Sequence, residues 1–196
     1  MKTILYGLAM CGGQSSRMGR DKSLITYYSI PQRYHVYDWM KAYCDTCFIS
    51  CNKDQSKNMS ADYNSLVDRD EYEKIGPMAA LLTAHYHFGQ ASFLVVGCDY
   101  PFVTSRDIEN LCKSRDNQYD AVCLFTKETG FEEPLLAIYE STCFPRMIEH
   151  FIKGDYSLRY VLQKVSTNRV PPNSQRSIMS IDTQEELGRV NTNQDK

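Results

Sequence analysis

A glycine-rich segment with two basic residues is the part of the sequence best suited to hold phosphate groups. It spans residues 11–22 and reads CGGQSSRMGRDK. Gly12 and Gly13 have no Cβ, so backbone N–H groups there can approach a ligand and hold phosphate oxygens. Arg17 offers a planar fork of donors, and Lys22 offers a movable positive charge. The spacing fits neither the Walker A pattern nor the dinucleotide fingerprint, so a plain glycine turn with solvated basic side chains stays open.

Three aspartates stand directly after apolar, strand-like runs: Asp68, Asp99 and Asp182. In an open parallel sheet, ligands bind beyond the carboxyl ends of the strands, which predicts these carboxylates and the glycine-rich segment at one edge. Magnesium in such sites takes one or two carboxylates together with phosphates and water. Asp99, after the most apolar run, is the leading candidate metal ligand, with a turn cap as the alternative. A helix N-cap is one interpretation of Asp182.

The elements that must position these residues alternate along the whole chain. Apolar runs followed by helical patterns predict an α/β fold, a three-layer Rossmann-like sandwich with a mostly parallel central sheet. A single domain is expected over residues 1–190, with a polar tail at 191–196. Strands are predicted at residues 4–10, 47–51, 65–67, 92–97, 119–125, 134–139 and 177–181. Helices are predicted at residues 31–43, 78–88 and 147–153, and two more are expected to begin near Thr104 and Thr183.

Composition narrows the class of protein. The chain has 196 residues and a net charge of -2, without the basic excess that is usual in nucleic-acid-binding proteins. No apolar run approaches the length of a membrane span, and the N-terminal residues lack a signal-peptide pattern, so a cytoplasmic protein is expected. Among the eight cysteines, Cys44, Cys47 and Cys51 include one C-x-x-C pair without a second pair. Packing of reduced thiols in the core is expected for them, with a metal site as the alternative.

Several segments, in order along the chain, resemble the molybdenum cofactor guanylyltransferases. These MobA-like proteins belong to the nucleotide-diphospho-sugar transferase-like superfamily of nucleotidyltransferases. Residues 12–22 resemble the family signature GG-x-S-x-RMG-x-DK, and residues 76–81 and 97–102 resemble GPL-x-G and x-CD-x-P-F. Residues 133–139, 157–159 and 181–187 are similar to EPL-x-A-x-Y, SLR and N-T-P-E-D-L. The matches run over nearly the whole chain, so the resemblance is specific to fold and superfamily.

The resemblance implies a magnesium-dependent transfer of GMP from GTP to the phosphate of molybdopterin, with release of pyrophosphate. It implies that Arg17 and Lys22 hold the phosphates and stabilise the leaving pyrophosphate, and that Asp99 binds the Mg²⁺ ion. Because some relatives have a polar residue at the last junction of strand and helix, Asp182 is a second, weaker candidate ligand, and a helix N-cap is an equally good interpretation of it. Such a reaction depends mainly on positioning and charge neutralisation, so no covalent nucleophile is needed. The nucleotide-binding residues that it implies are Met10, Cys11, Gly12, Gly13, Lys22, Asn52, Asp68 and Asp99.

The chain also departs from the family pattern. Met10-Cys11 stands where Leu-Ala is usual, Ala80 replaces a glycine, and Asp182 replaces an asparagine. These changes leave the reaction type alone, but they leave the choice of nucleotide and of acceptor open. One alternative is a cytidylyltransferase, or another NTP transferase, acting on a different small phosphorylated acceptor. Another is a non-catalytic nucleotide-binding or adaptor protein. Contacts with molybdoenzymes or cofactor-insertion proteins are a further role that exposed helices would support.

Overall fold

The chain folds around a seven-stranded sheet flanked by helices on both faces. The structure is a computed structural model that describes residues 4–11 and 21–181. The strands are β1 (Leu5–Met10), β2 (Thr46–Cys51), β3 (Ser65–Val67), β4 (Ser92–Gly97), β5 (Ala121–Phe125), β6 (Glu132–Tyr139) and β7 (Thr167–Val170). Their order in the sheet is β3-β2-β1-β4-β6-β5-β7. Within the described ranges, only β6 runs antiparallel to its neighbours, β4 and β5. The predicted α/β fold with a mostly parallel sheet is therefore confirmed.

Helices cover both faces of the sheet and form the outer layers of the sandwich. The helices are α1 (Gln32–Met40), α2 (Lys53–Ser56), α3 (Met78–Phe88), α4 (Ser105–Lys113), α5 (Phe144–Ile152) and α6 (Leu158–Lys164). On one face, residues of α3, α5 and α6 pack in a core with Phe93 and Val95. On the other face, residues of α1 and α4 pack with Leu94 and Val96. Strand β4 is therefore buried on both sides, as its unbroken apolar run predicts.

The prediction of a last strand at residues 177–181 is wrong. The structure has a 3-10 helix at Gln175–Ile178 instead, and β7 already occupies the sheet edge beside β5. Pro171 and Pro172 follow β7 directly, and prolines cannot donate to a strand ladder, so the chain leaves the sheet there. Ile181 then passes the end of β4, where its N–H donates to the carbonyl oxygen of Asp99 at 2.8 Å. The helix predicted near Thr183 lies outside the described residues.

One predicted helix cap is confirmed, and two further elements were not predicted. The predicted cap at Thr104 is confirmed, since its hydroxyl accepts from the N–H of Asp107 at the start of α4. Helix α6 was not predicted, although Ser157 caps it by accepting from the N–H of Tyr160. Strand β7 was also missed, because the sequence TNRV has no apolar alternation.

Within residues 4–11 and 21–181, no helix is both long and apolar enough to cross a bilayer.

Candidate functional site

The carboxyl ends of four parallel strands meet at one edge of the sheet. Met10 at the end of β1 is in register with Ser50 of β2 and Gly97 of β4, and Cys51 is in register with Val67 of β3. The residues that follow these strand ends therefore lie side by side. Four of them are predicted site residues: Cys11, Asn52, Asp68 and Asp99.

The two described residues that flank the glycine-rich segment, Cys11 and Asp21, are joined by one side chain. The amide nitrogen of Gln55 donates to the carbonyl of Cys11 at 3.2 Å and to Asp21 Oδ2 at 3.0 Å. Lys22 starts a 3-10 helix, Lys22–Leu24, which Asp21 caps by accepting from the N–H and the hydroxyl of Ser23 at 2.9 and 2.7 Å. Lys22 is therefore brought to the same edge as the strand ends. The other predicted residues of this segment, Gly12, Gly13 and Arg17, lie outside the described residues.

Asp99 is half-buried, and its position depends on the glycine two residues before it. An ideal Cβ placed on Gly97 would collide with Asp99 Oδ1 and lie 3.0 Å from the ring of Tyr100. The absence of a side chain at Gly97 thus lets the carboxylate lie over the end of β4. The carbonyl of Asp99 accepts from Ile181, which immediately precedes Asp182 in the chain. Asp182 itself lies beyond the residues that the structure describes.

Asp68 has an environment that disfavours its charged form. Burial raises the pKa of this carboxyl to about 6, and a hydrogen bond from the Ser50 hydroxyl, with a long 3.4 Å separation, opposes that shift. The carboxyl therefore changes its protonation state close to neutral pH. A ligand that brings hydrogen-bond donors to Asp68 would favour the ionised form.

Asn52 is the N-cap residue of helix α2, a position that asparagine favours. Its Oδ1 accepts from the N–H groups of Asp54 and Gln55 at 3.0 and 2.8 Å, and this caps α2. The Gln55 side chain in turn accepts from the Asn52 N–H at 3.1 Å, which completes a capping box. The remaining amide nitrogen of Asn52 is the atom that can still donate to a ligand.

A buried pair beside Asp99 was not predicted. Glu133 stands near the start of β6, and because β6 is antiparallel, this start lies at the same edge as the end of β4. Burial raises the pKa of Glu133, while the hydroxyl of Tyr100 donates to its Oε2 at 2.9 Å and opposes that rise. This bond ties the turn that carries Asp99 to β6. The antiparallel direction of β6 is the signal that could have indicated this pairing of Tyr100 with Glu133.

The cysteines pack as thiols in the core. Cys11 and Cys98 are buried, and their sulfur atoms lie 3.5 Å apart. The hydrogen bond with Cys11, together with burial, raises the pKa of Cys98 well above its usual range. Cys47 and Cys51 are buried in β2. Among the described residues, no group of three or more His, Cys, Asp or Glu side chains is arranged to hold a metal, and this includes the trio of Cys44, Cys47 and Cys51.

Comparison with known proteins agrees with this geometry. The family model for the MobA-like NTP transferase domain matches residues 7–170. A molybdenum cofactor biosynthesis bifunctional protein of Synechocystis is 31% identical over 195 residues, which is 97% of this chain and 54% of that protein. The chain thus spans about half the length of this relative. A molybdenum cofactor guanylyltransferase of Pseudomonas entomophila is 28% identical over 158 residues, with 79% of this chain and 80% of that protein covered.

A solved structure shows the same fold. The molybdopterin-guanine dinucleotide biosynthesis protein A of Archaeoglobus fulgidus superimposes with a TM-score of 0.79 at 20% identity, and 98% of this chain and 99% of that chain are covered. The match over residues 7–170 covers most of the 196 residues, and it includes the strand ends that form the site. The chain therefore belongs to the family of MobA-like NTP transferases.

Proposed function

We propose that this protein transfers GMP from GTP to the phosphate of molybdopterin and releases pyrophosphate. The observation that carries the proposal is the convergence of Cys11, Asp68 and Asp99 at one sheet edge, with Lys22 anchored beside them. The names of the relatives, molybdenum cofactor guanylyltransferase and molybdenum cofactor biosynthesis bifunctional protein, support the same reaction.

The reaction joins two anions, so the site must supply positive charge. An oxygen of the acceptor phosphate attacks the α-phosphorus of GTP, and the bond from that phosphorus to the bridging oxygen breaks as pyrophosphate leaves. Positioning and charge neutralisation account for most of the catalysis of such a step. In this proposal, Arg17 and Lys22 hold the triphosphate and stabilise the leaving pyrophosphate.

Asp99 suits a magnesium ion. Its carboxylate offers oxygen ligands, is only partly buried, and lies over the end of β4, where Gly97 leaves room. Magnesium is usually bound by one or two carboxylates and completes its shell with phosphates and water. When bound, the ion supplies positive charge to the phosphates. Asp182 stays a proposed second ligand.

Asp68 favours guanine over cytosine. Its buried carboxyl gains most from a base that offers two adjacent N–H donors, because donors stabilise the charged form. Guanine offers N1–H and the 2-amino group on one edge, whereas cytosine offers only its 4-amino group as a donor. The proposed nucleotide is therefore GTP.

The test is calorimetric titration of the protein with ATP, CTP, GTP and UTP, each in the presence of Mg²⁺. GTP should bind with the highest affinity, and Asp68→Asn should reduce the difference between GTP and CTP. A preference for CTP would assign the protein to cytidylyl transfer. GTP binding without pyrophosphate release in the presence of molybdopterin would indicate a non-catalytic protein, and no binding of any triphosphate would overturn the proposal.

A further inference from the structure

We propose that Gln55 is a positioning residue of the nucleotide site, because it holds together Cys11 and Asp21, the two described residues that flank residues 12–20. This inference rests on the proposed function for its kinetic consequences. Cys11 precedes this segment and Asp21 follows it, and one nitrogen atom of Gln55 donates to both of them, at 3.2 and 3.0 Å. A segment of nine residues could span about 30 Å when extended. A single side chain instead fixes the two flanking residues close together.

The orientation of the Gln55 amide is determined by its partners. Its oxygen accepts from the Asn52 N–H at 3.1 Å, so its nitrogen must face the other way. On that side lie the carbonyl of Cys11 and the carboxylate of Asp21, and both of these groups only accept hydrogen bonds. Both ends of the amide are therefore specified, and only a residue with one acceptor and one donor end satisfies the site.

The bond to Asp21 also reaches the residue proposed to hold phosphate. The second oxygen of Asp21 caps the 3-10 helix Lys22–Leu24 through the N–H and hydroxyl of Ser23, and Ser23 is almost fully buried. Gln55 thus restrains one oxygen of this carboxylate while the buried Ser23 restrains the other. Because Lys22 lies between Asp21 and Ser23, its backbone is held in place relative to α2, to which Gln55 belongs.

The sequence of α2 offers a substitution that separates this role from helix capping. Glutamate at the third position of a helix serves a capping box as well as glutamine does. Gln55→Glu therefore keeps the bond from the Asn52 N–H but replaces the donor with an acceptor facing Asp21. At neutral pH two carboxylates would then face each other. When protonated at lower pH, the new carboxyl can donate again.

The experiment compares wild type, Gln55→Glu and the control Lys57→Gln, which makes the same change in net charge at an exposed position of the same turn. KM for GTP in the transfer reaction is measured from about pH 5 to about pH 8, because the neighbouring carboxylate of Asp21 raises the pKa of the new glutamate above its ordinary value of about 4.3 and the range must include its protonated form. For Gln55→Glu we expect KM to rise about tenfold at the upper pH and to return toward wild type as the pH falls. The control should follow the wild type, and circular dichroism should show that all three proteins are folded under the assay conditions.

A readout without nucleotide separates this inference from the proposed function. Hydrogen exchange of the backbone N–H groups of Ser23 and Leu24, both of which donate to Asp21, should be faster in Gln55→Glu than in the wild type or Lys57→Gln. Unchanged exchange, or a KM increase that persists at low pH, would overturn the role of Gln55. Absence of GTP turnover in the wild type with faster exchange in the variant would overturn the proposed reaction and leave the role of Gln55 standing.

Discussion

Replacing Asp68 by asparagine should stabilise the free protein at neutral pH while it weakens guanine binding. Burial raises the pKa of this carboxyl from 3.8 to about 6. One pKa unit corresponds to about 1.4 kcal/mol, so ionising Asp68 costs the folded state up to about 3 kcal/mol relative to the unfolded chain. Asparagine has nearly the same shape and carries no charge at any pH. It therefore removes this cost.

The sign of the pH dependence follows from the raised pKa. The folded state retains the proton between about pH 4 and about pH 6, where the unfolded chain has lost it. The contribution of Asp68 to stability is thus fully present below the unfolded pKa and is lost as the pH rises through the folded pKa. Wild type and Asp68→Asn should have similar free energies of unfolding near pH 4. The variant should be more stable by up to about 3 kcal/mol near pH 7.5.

Urea denaturation of the nucleotide-free protein across this pH range measures the difference. The exposed Asp62→Asn is the matched control and should keep the pH dependence of the wild type. Calorimetry of GTP binding near pH 6, in buffers of different ionisation enthalpy, should show proton release in the wild type that is smaller in Asp68→Asn. A variant that is less stable than the wild type at neutral pH would refute the reasoning, as would equal proton release.

Two further predictions concern the turn that carries Asp99. Tyr100→Phe leaves the buried Glu133 without its hydroxyl donor, so urea denaturation should show that the free energy of unfolding falls by about 1–3 kcal/mol. The same change should cost less in a Glu133→Gln background, and an equal loss in both backgrounds would contradict this. Gly97→Ala places a Cβ against the carboxylate of Asp99, so GTP turnover should fall about a hundredfold. The control is Gly7→Ala, whose Cβ would lie 2.9 Å from the Cys47 sulfur in the core. This control variant should have a lower melting temperature and an unchanged KM for GTP.

The strands that build the site could be predicted because each combines an apolar run with a turn residue after it. The strands at residues 65–67 and 92–97 have the predicted bounds. Their parallel direction follows from the helices between them, and this direction places Asp68 and Asp99 at one edge. The antiparallel direction of β6 was not predicted, because apolar runs do not specify direction. The short connection from Phe125 to Glu132 is the signal that could have indicated it, since parallel strands need a longer crossover.

The side-chain pairs that complete the site left little signal in the sequence. Gln55 and Asp21 are 34 positions apart, and Tyr100 and Glu133 are 33 positions apart, so no local periodicity links either pair. The spacing of Asn52 and Gln55 is that of a capping box, and this local signal, which was not used, could have indicated a defined orientation for the glutamine. Such contacts depend on how separate elements meet in the folded chain.

The central claim is most directly tested by pyrophosphate release from GTP in the presence of molybdopterin and Mg²⁺. The wild type should release pyrophosphate from GTP faster than from CTP. Asp99→Ala and Lys22→Ala should lose this activity while they keep the melting temperature and circular dichroism of the wild type. Full activity in either variant, or release that does not depend on molybdopterin, would contradict the assignment of this sheet edge as the site of nucleotidyl transfer.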